Sequence, residues 1–185
     1  RQPLEDMKIV ISRARSTVTF PANFMLIAAM NPCPCGYYNH PQRSCDCPPG
    51  AVKKYINRIS GPLFDRIDIQ LEVTPVSFDQ LTSHQISPES SEAIRERVVM
   101  ARSIQHKRYE GISTIHTNSM LSSGAMIEYC KPDKDAMELL KRAMKKLDLS
   151  ARAYDRILKV ARTIADMEAK DQIDDRHIAE AIAYR

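Results

Sequence analysis

Residues 24–36, FMLIAAMNPCPCG, join an unbroken run of seven apolar residues to Asn31 and to a loop rich in proline and cysteine. The run is bounded by Pro21, Ala22 and Asn23 on one side and by Asn31-Pro32 on the other. A continuous apolar run with such limits predicts a strand buried on both faces in a parallel sheet. In open α/β sheets ligands gather at the carboxyl ends of strands, where Asn31 falls. A neutral amide there can hold a water or a phosphate oxygen without adding charge. The plainer alternative is an Asn-Pro step that only ends a strand.

Working outward, KIVIS and STVTF flank the basic turn Arg13, Ala14, Arg15 and predict a hairpin over residues 8–20. Residues 32–50 hold five prolines and two glycines, so neither helix nor strand is expected there. A short helix over 51–59, a Gly-Pro turn with a short helical turn, and a last strand near 67–73 follow. Beyond residue 89 the pattern is helical. Ser87 and Pro88 suit a cap and first helical position, and Ile94, Val98, Ala101, Ile104 and Gln105 share one face. Further helices are expected near 120–130, 133–147, 150–169 and 174–184, with Ser150 as an N-cap. The chain thus divides into an α/β part over 1–76, a linker over 77–88 and an all-α part over 89–185.

The composition is that of a soluble, helix-rich protein: 43% hydrophobic, 27% charged, 6% aromatic and no Trp among 185 residues. A net charge of +4 is weak evidence for a nucleic-acid partner. No apolar run approaches the roughly 18–20 residues of a membrane span. The opening RQPLEDMKIV is neither a signal peptide nor an initiator-Met start, which predicts a boundary inside a larger cytoplasmic protein.

Two arginines stand in suggestive places. Arg66 follows a Gly-Pro turn in GPLFDRIDI, where a stiff segment could present its planar, permanently charged fork to an external phosphate. A surface ion pair with Asp65 or Asp68 is the alternative. Arg152 lies in the first turn of the Ser150-capped helix, where the helix dipole prefers an acid, so an anionic partner is implied.

Four of the five cysteines, Cys33, Cys35, Cys45 and Cys47, form the pattern C-x-C-x9-C-x-C. Four thiolates on a short loop could hold Zn²⁺ tetrahedrally in a structural site. The one-residue spacing within each pair is tighter than the usual two to four and is expected to strain chelation by both members. His40 is a substitute ligand, and two disulfides or four metal-free thiols are the alternatives. His177 reads as a helix residue beside core Ile178 and Ile182.

These segments together resemble the magnesium-chelatase-like AAA+ ATPases, specifically their bacterial competence-protein (ComM/YifB) type. The carrying strings are RQPLED, ISRA, the run into MNPCPCG, ISGPLFDRIDI and LSARAYDRILKVARTIADM, so the resemblance spans essentially the whole chain. It implies the C-terminal half of an AAA+ α/β core with a hairpin inserted before sensor 1, followed by a helical lid bundle. It implies Asn31 as sensor 1, Arg66 as an arginine finger offered in trans, Arg152 as sensor 2 and Arg58 as a second trans contact. ATP with Mg²⁺ would serve a homo-oligomeric, hexameric ring. No G-x-x-x-x-G-K-[ST] and no Walker B strand end occur in the sequence, so this chain alone is expected to hydrolyse no ATP. The cysteine loop favours the competence type, which is associated with DNA branch migration in natural transformation, and Arg13 and Arg15 are its candidate DNA contacts. A magnesium-chelatase motor subunit and a zinc-stabilised, non-enzymatic interaction domain are the alternatives.

Overall fold

A computed structural model of the chain describes residues 2–76 and 89–185. The expected linker over 77–88, with Ser87 and Pro88, lies outside the described residues. Two compact units are present, one ending at Ile67 and one beginning at Asp68.

The first unit opens with α1 (Gln2–Asp6) and a hairpin of β1 (Lys8–Arg13) and β2 (Ser16–Pro21). The strands are antiparallel, pairing Ile9 with Phe20, Ile11 with Val18 and Arg13 with Ser16, so Ala14 and Arg15 form the turn. The hairpin matches its expectation. Every strand residue is exposed, and the ribbon relies on cross-strand pairs such as the Ser12–Thr17 hydroxyl contact at 3.1 Å.

The expected strands over 24–30 and 67–73 do not form: β1 and β2 make the one sheet among the described residues. A β-strand exists only where a neighbouring backbone completes its hydrogen bonds, and residues 24–30 have no such neighbour among the described residues. Their side chains therefore face water, Met25 and Ile27 each at 81% exposure. In 67–73 Gln70 donates its N–H to the Tyr184 carbonyl at 2.8 Å, and no strand is present there. The described chain is thus mostly helical with one small antiparallel sheet.

After the irregular loop come α2 (Ala51–Ile56) and α3 (Gly61–Phe64). Gly50 at the head of α2 has φ 81°, a left-handed conformation that glycine adopts without penalty. Pro62 sits in the first turn of α3, where its missing N–H costs nothing.

The second unit is a helical bundle: α4 (Ser91–Arg108), a 3₁₀ turn (Asn118–Met120), α5 (Ser123–Tyr129), α6 (Lys134–Lys146), α7 (Ala151–Met167) and α8 (Asp175–Ala183). All five α-helices among the described residues of this unit start on a Ser or Asp whose side chain accepts a first-turn amide: Ser90, Ser122, Asp133, Ser150 and Asp174. At α8 the cap is reciprocal, since His177 Nδ1 accepts the Asp174 N–H at 2.9 Å. α7 is the central helix, packed against α4, α5 and α8, with α6 also on α8. Leu121, Met126, Leu140, Ile157, Leu158, Ile173 and Ile178 fill the core. The apolar face expected on α4 is only half used: Ala101 and Gln105 are buried, whereas Ile94 and Val98 are exposed.

Candidate nucleotide-sensing and metal-ligating residues

Asn31, Arg58 and Arg66 belong to the first unit and Arg152 to the second. Asn31 follows the extended apolar run and is exposed, as is Arg58 just beyond α2. Arg152 is exposed in the first turn of α7, two residues after the Ser150 cap, whose hydroxyl accepts the Ala153 N–H at 3.2 Å. Arg13 and Arg15 are exposed at the hairpin tip.

Arg66 is held differently from its expectation. Its guanidinium pairs with Glu5 of α1 at 2.7 Å and its side chain is only 8% exposed. Nη1 also donates to the Pro62 carbonyl, while Nε is buried with no hydrogen-bond partner. Asp68, one of the two acids weighed as its partner, pairs instead with Arg156 of α7.

The four clustered cysteines converge. Cys33 Sγ lies 3.3 Å from Cys35 Sγ and 3.7 Å from Cys45 Sγ, and Cys35 to Cys45 is 3.6 Å. All four sulfurs, Cys47 included, lie within 4.8 Å of one another. The tight C-x-C spacing thus does not keep the sulfurs apart. The loop turns at Gly36, with φ 84°, where its N–H bonds the Cys33 carbonyl at 3.0 Å. His40 is not in the cluster; its Nδ1 accepts the Gln42 N–H at 3.1 Å and its ring meets Tyr37 edge-on.

The sulfurs share protons unequally. Burial pushes Cys33 up, but contacts with Cys35, the Tyr38 backbone, Cys45 and Cys47 outweigh it and bring the thiol down to about 6. At Cys47 a backbone bond from Cys35 pulls down, yet burial and the neighbouring sulfurs push the thiol up to about 12. Of the four thiols, Cys33 and Cys35 are lowered and Cys45 and Cys47 are raised.

A buried polar centre went unread in the sequence. Asp166, on α7 and fully buried, binds Arg108 of α4, Arg162 Nε at 3.1 Å and Asn118 Nδ2 at 2.8 Å. Asn118 also accepts the Tyr109 hydroxyl at 2.6 Å. The Arg162–Asp166 spacing of four along a helix was the one visible signal; Arg108 and Asn118 are brought in by tertiary packing alone.

Residues 1–81 match the family model described as magnesium chelatase, subunit ChlI, and residues 88–185 match the one described as magnesium chelatase, subunit ChlI C-terminal. Among curated proteins, the chain is 44% identical over 186 residues to the competence protein ComM of Haemophilus influenzae, covering all of this chain and 35% of that protein. It is 41% identical over 187 residues to the protein YifB of Salmonella typhimurium, with the same coverage of each. A mycobacterial protein, Mb2921c of Mycobacterium bovis, is 31% identical over 185 residues, covering all of this chain and 36% of that protein. The chain spans about a third of the length of these relatives and aligns with them from end to end. It therefore belongs to the magnesium-chelatase ChlI family, on the branch that includes ComM and YifB.

Proposed function

We propose that the chain is the sensor-and-lid portion of an ATP-hydrolysing AAA+ ring motor that acts on DNA in the cytoplasm. The observation that carries the reading is the unbroken likeness of the whole chain to the competence protein ComM. In this reading residues 24–30 form the sensor strand of a parallel sheet whose other strands lie outside this chain. Their exposed apolar side chains and lack of a ladder partner support it. The phosphate-binding loop likewise comes from outside these residues.

Phosphoryl transfer asks the protein for positioning and charge stabilisation rather than covalent chemistry. Asn31, at the strand end, orients the phosphate end of the site. Arg152, in the first turn of α7, takes the sensor-2 role and couples nucleotide state to lid angle. Arg66, together with Arg58, serves the neighbouring subunit of a hexamer, and ATP with Mg²⁺ is the working cofactor pair. To act, Arg66 exchanges the Glu5 carboxylate for a neighbour's phosphate, one anion for another. Arg13 and Arg15 meet the DNA backbone as paired point charges on the hairpin tip.

The test is made on the whole protein. Arg66→Ala should leave nucleotide binding intact and lower turnover by about 10³-fold or more, the worth of a trans arginine. Mixing it with a subunit lacking the phosphate-binding lysine should restore part of the activity, because one intact finger then faces one intact site. Unchanged turnover in Arg66→Ala overturns the reading. A chelatase motor subunit is the second reading, favoured by the description of the matched family; nucleotide-driven insertion of Mg²⁺ into a porphyrin, with no response to DNA, would select it.

A further inference from the structure

We propose that Cys33, Cys35, Cys45 and Cys47 form a closed four-thiolate site for Zn²⁺, and that this ion, rather than an apolar core, sets the shape of the loop between Asn31 and α2. Three observations converge on it.

The first is spacing. Four sulfurs at the corners of a tetrahedron with bonds of about 2.3 Å stand roughly 3.8 Å apart. The measured separations are 3.3, 3.6 and 3.7 Å, with the fourth sulfur inside the same 4.8 Å cluster. A disulfide needs about 2.05 Å and joins sulfurs two by two, whereas here Cys33, Cys35 and Cys45 are mutually close.

The second is the surrounding backbone. The Gly36 N–H bonds the Cys33 carbonyl at 3.0 Å and the His40 N–H bonds the Tyr37 carbonyl at 3.1 Å, so two tight turns follow directly on Cys33. The chain around the first cysteine pair is therefore already folded back by its own peptide bonds.

The third is what the loop lacks. Cys33 is the one buried residue among the described residues of the first unit. A segment with five prolines and no apolar interior cannot hold a single shape by burial, and small folds in that position rely on a cross-link or an ion. The soft all-sulfur donor set selects zinc over magnesium or calcium. Four protein ligands leave no open position, so the site is structural. On binding, each thiol gives its proton to solvent and the centre carries two net negative charges.

The experiment uses this chain without nucleotide, so its failure leaves the motor reading standing. Reduced, metal-stripped protein is titrated with Co²⁺, then with Zn²⁺. Expected are the visible bands of tetrahedral cobalt-thiolate saturating at one equivalent, their loss on adding zinc, and one zinc per chain by elemental analysis of native protein. Cys35→Ser and Cys47→Ser should each abolish stoichiometric zinc while the far-ultraviolet signal of the helical unit is unchanged. Chelation of the unsubstituted chain should open residues 36–44 to proteolysis. Four thiols that react at once in zinc-supplemented protein, two disulfides in the native chain, or bound iron in place of zinc would each overturn the proposal.

Discussion

Arg108 and Asp166 lie 58 positions apart in sequence, yet the guanidinium grips the carboxylate with both terminal nitrogens, one of them at 2.9 Å. The pair ties the last turn of α4 to the last turns of α7 inside the helical unit. The same carboxylate is shared with Arg162, so one buried anion balances two cations. Removing it leaves Arg162 buried without a counter-charge, a loss of about 3–5 kcal/mol by comparison with other broken buried pairs. Asp166→Ala should lower the urea midpoint of the helical unit accordingly, and a change below about 1 kcal/mol would show that the pair does not hold it.

The Glu5–Arg66 contact makes a different prediction, because Glu5 is 37% exposed. Such a half-solvated pair contributes no more than about 1 kcal/mol. Glu5→Gln should therefore barely shift thermal stability. In the whole protein it should raise basal ATP turnover, since the arginine no longer has a competing carboxylate. Turnover that falls with Glu5→Gln would mean that the contact positions Arg66 rather than restrains it.

Asp174 sets an acid limit. Burial would raise its carboxyl, but Arg176, the His177 amide and Lys170 outweigh burial and hold it well below the usual carboxylate range. A depressed carboxyl stabilises the fold above the unfolded value of about 3.9, and that stability is lost as pH falls below it. Asp174→Asn keeps a capping side chain and removes the charge. Urea midpoints of the two proteins should differ at neutral pH and converge toward about pH 2. Parallel profiles across that range would exclude the charge as the cause.

Cys130 should behave unlike the other cysteines. It is buried in the helical core, and burial pushes its thiol up to about 11. In native metal-stripped protein, alkylation near pH 8 should modify Cys35, which is half-buried and lowered, and spare Cys130 until denaturant is added. Mass spectrometry of the modified peptides distinguishes these outcomes.

The hairpin tip can be examined through salt. Arg13→Glu with Arg15→Glu should weaken DNA binding by the whole protein and flatten its dependence on salt, since each phosphate contact adds to that slope. An unchanged slope would place the DNA contact elsewhere.

The helical unit was legible because its signals are local. Ser150 and Asp174 announce helix starts, and Ile157, Leu158, Ala161 and Ala165 repeat at helical spacing, so α7 was bounded to within two residues. The hairpin was legible for the same reason. Residues 24–30 carried an equally clear apolar signal, but a strand depends on a partner backbone and none is present among the described residues. Asp166 with Arg108, and Arg66 with Glu5, were invisible because each pairing joins distant segments through packing. In the cysteine loop the residue types pointed to a metal, while their convergence despite the one-residue spacing depends on how the whole loop folds.

The open flank formed by Phe24, Met25, Leu26, Ile27 and Met30 governs how this chain behaves as a material. Exposed greasy surface of that extent drives proteins to cluster with rising concentration. Solutions of the isolated chain should scatter light increasingly as they are concentrated, and more so with added sulfate, which strengthens apolar contact. Handling it calls for dilute, sulfate-free buffers, and a Met25→Lys, Ile27→Lys form is the natural choice for spectroscopy.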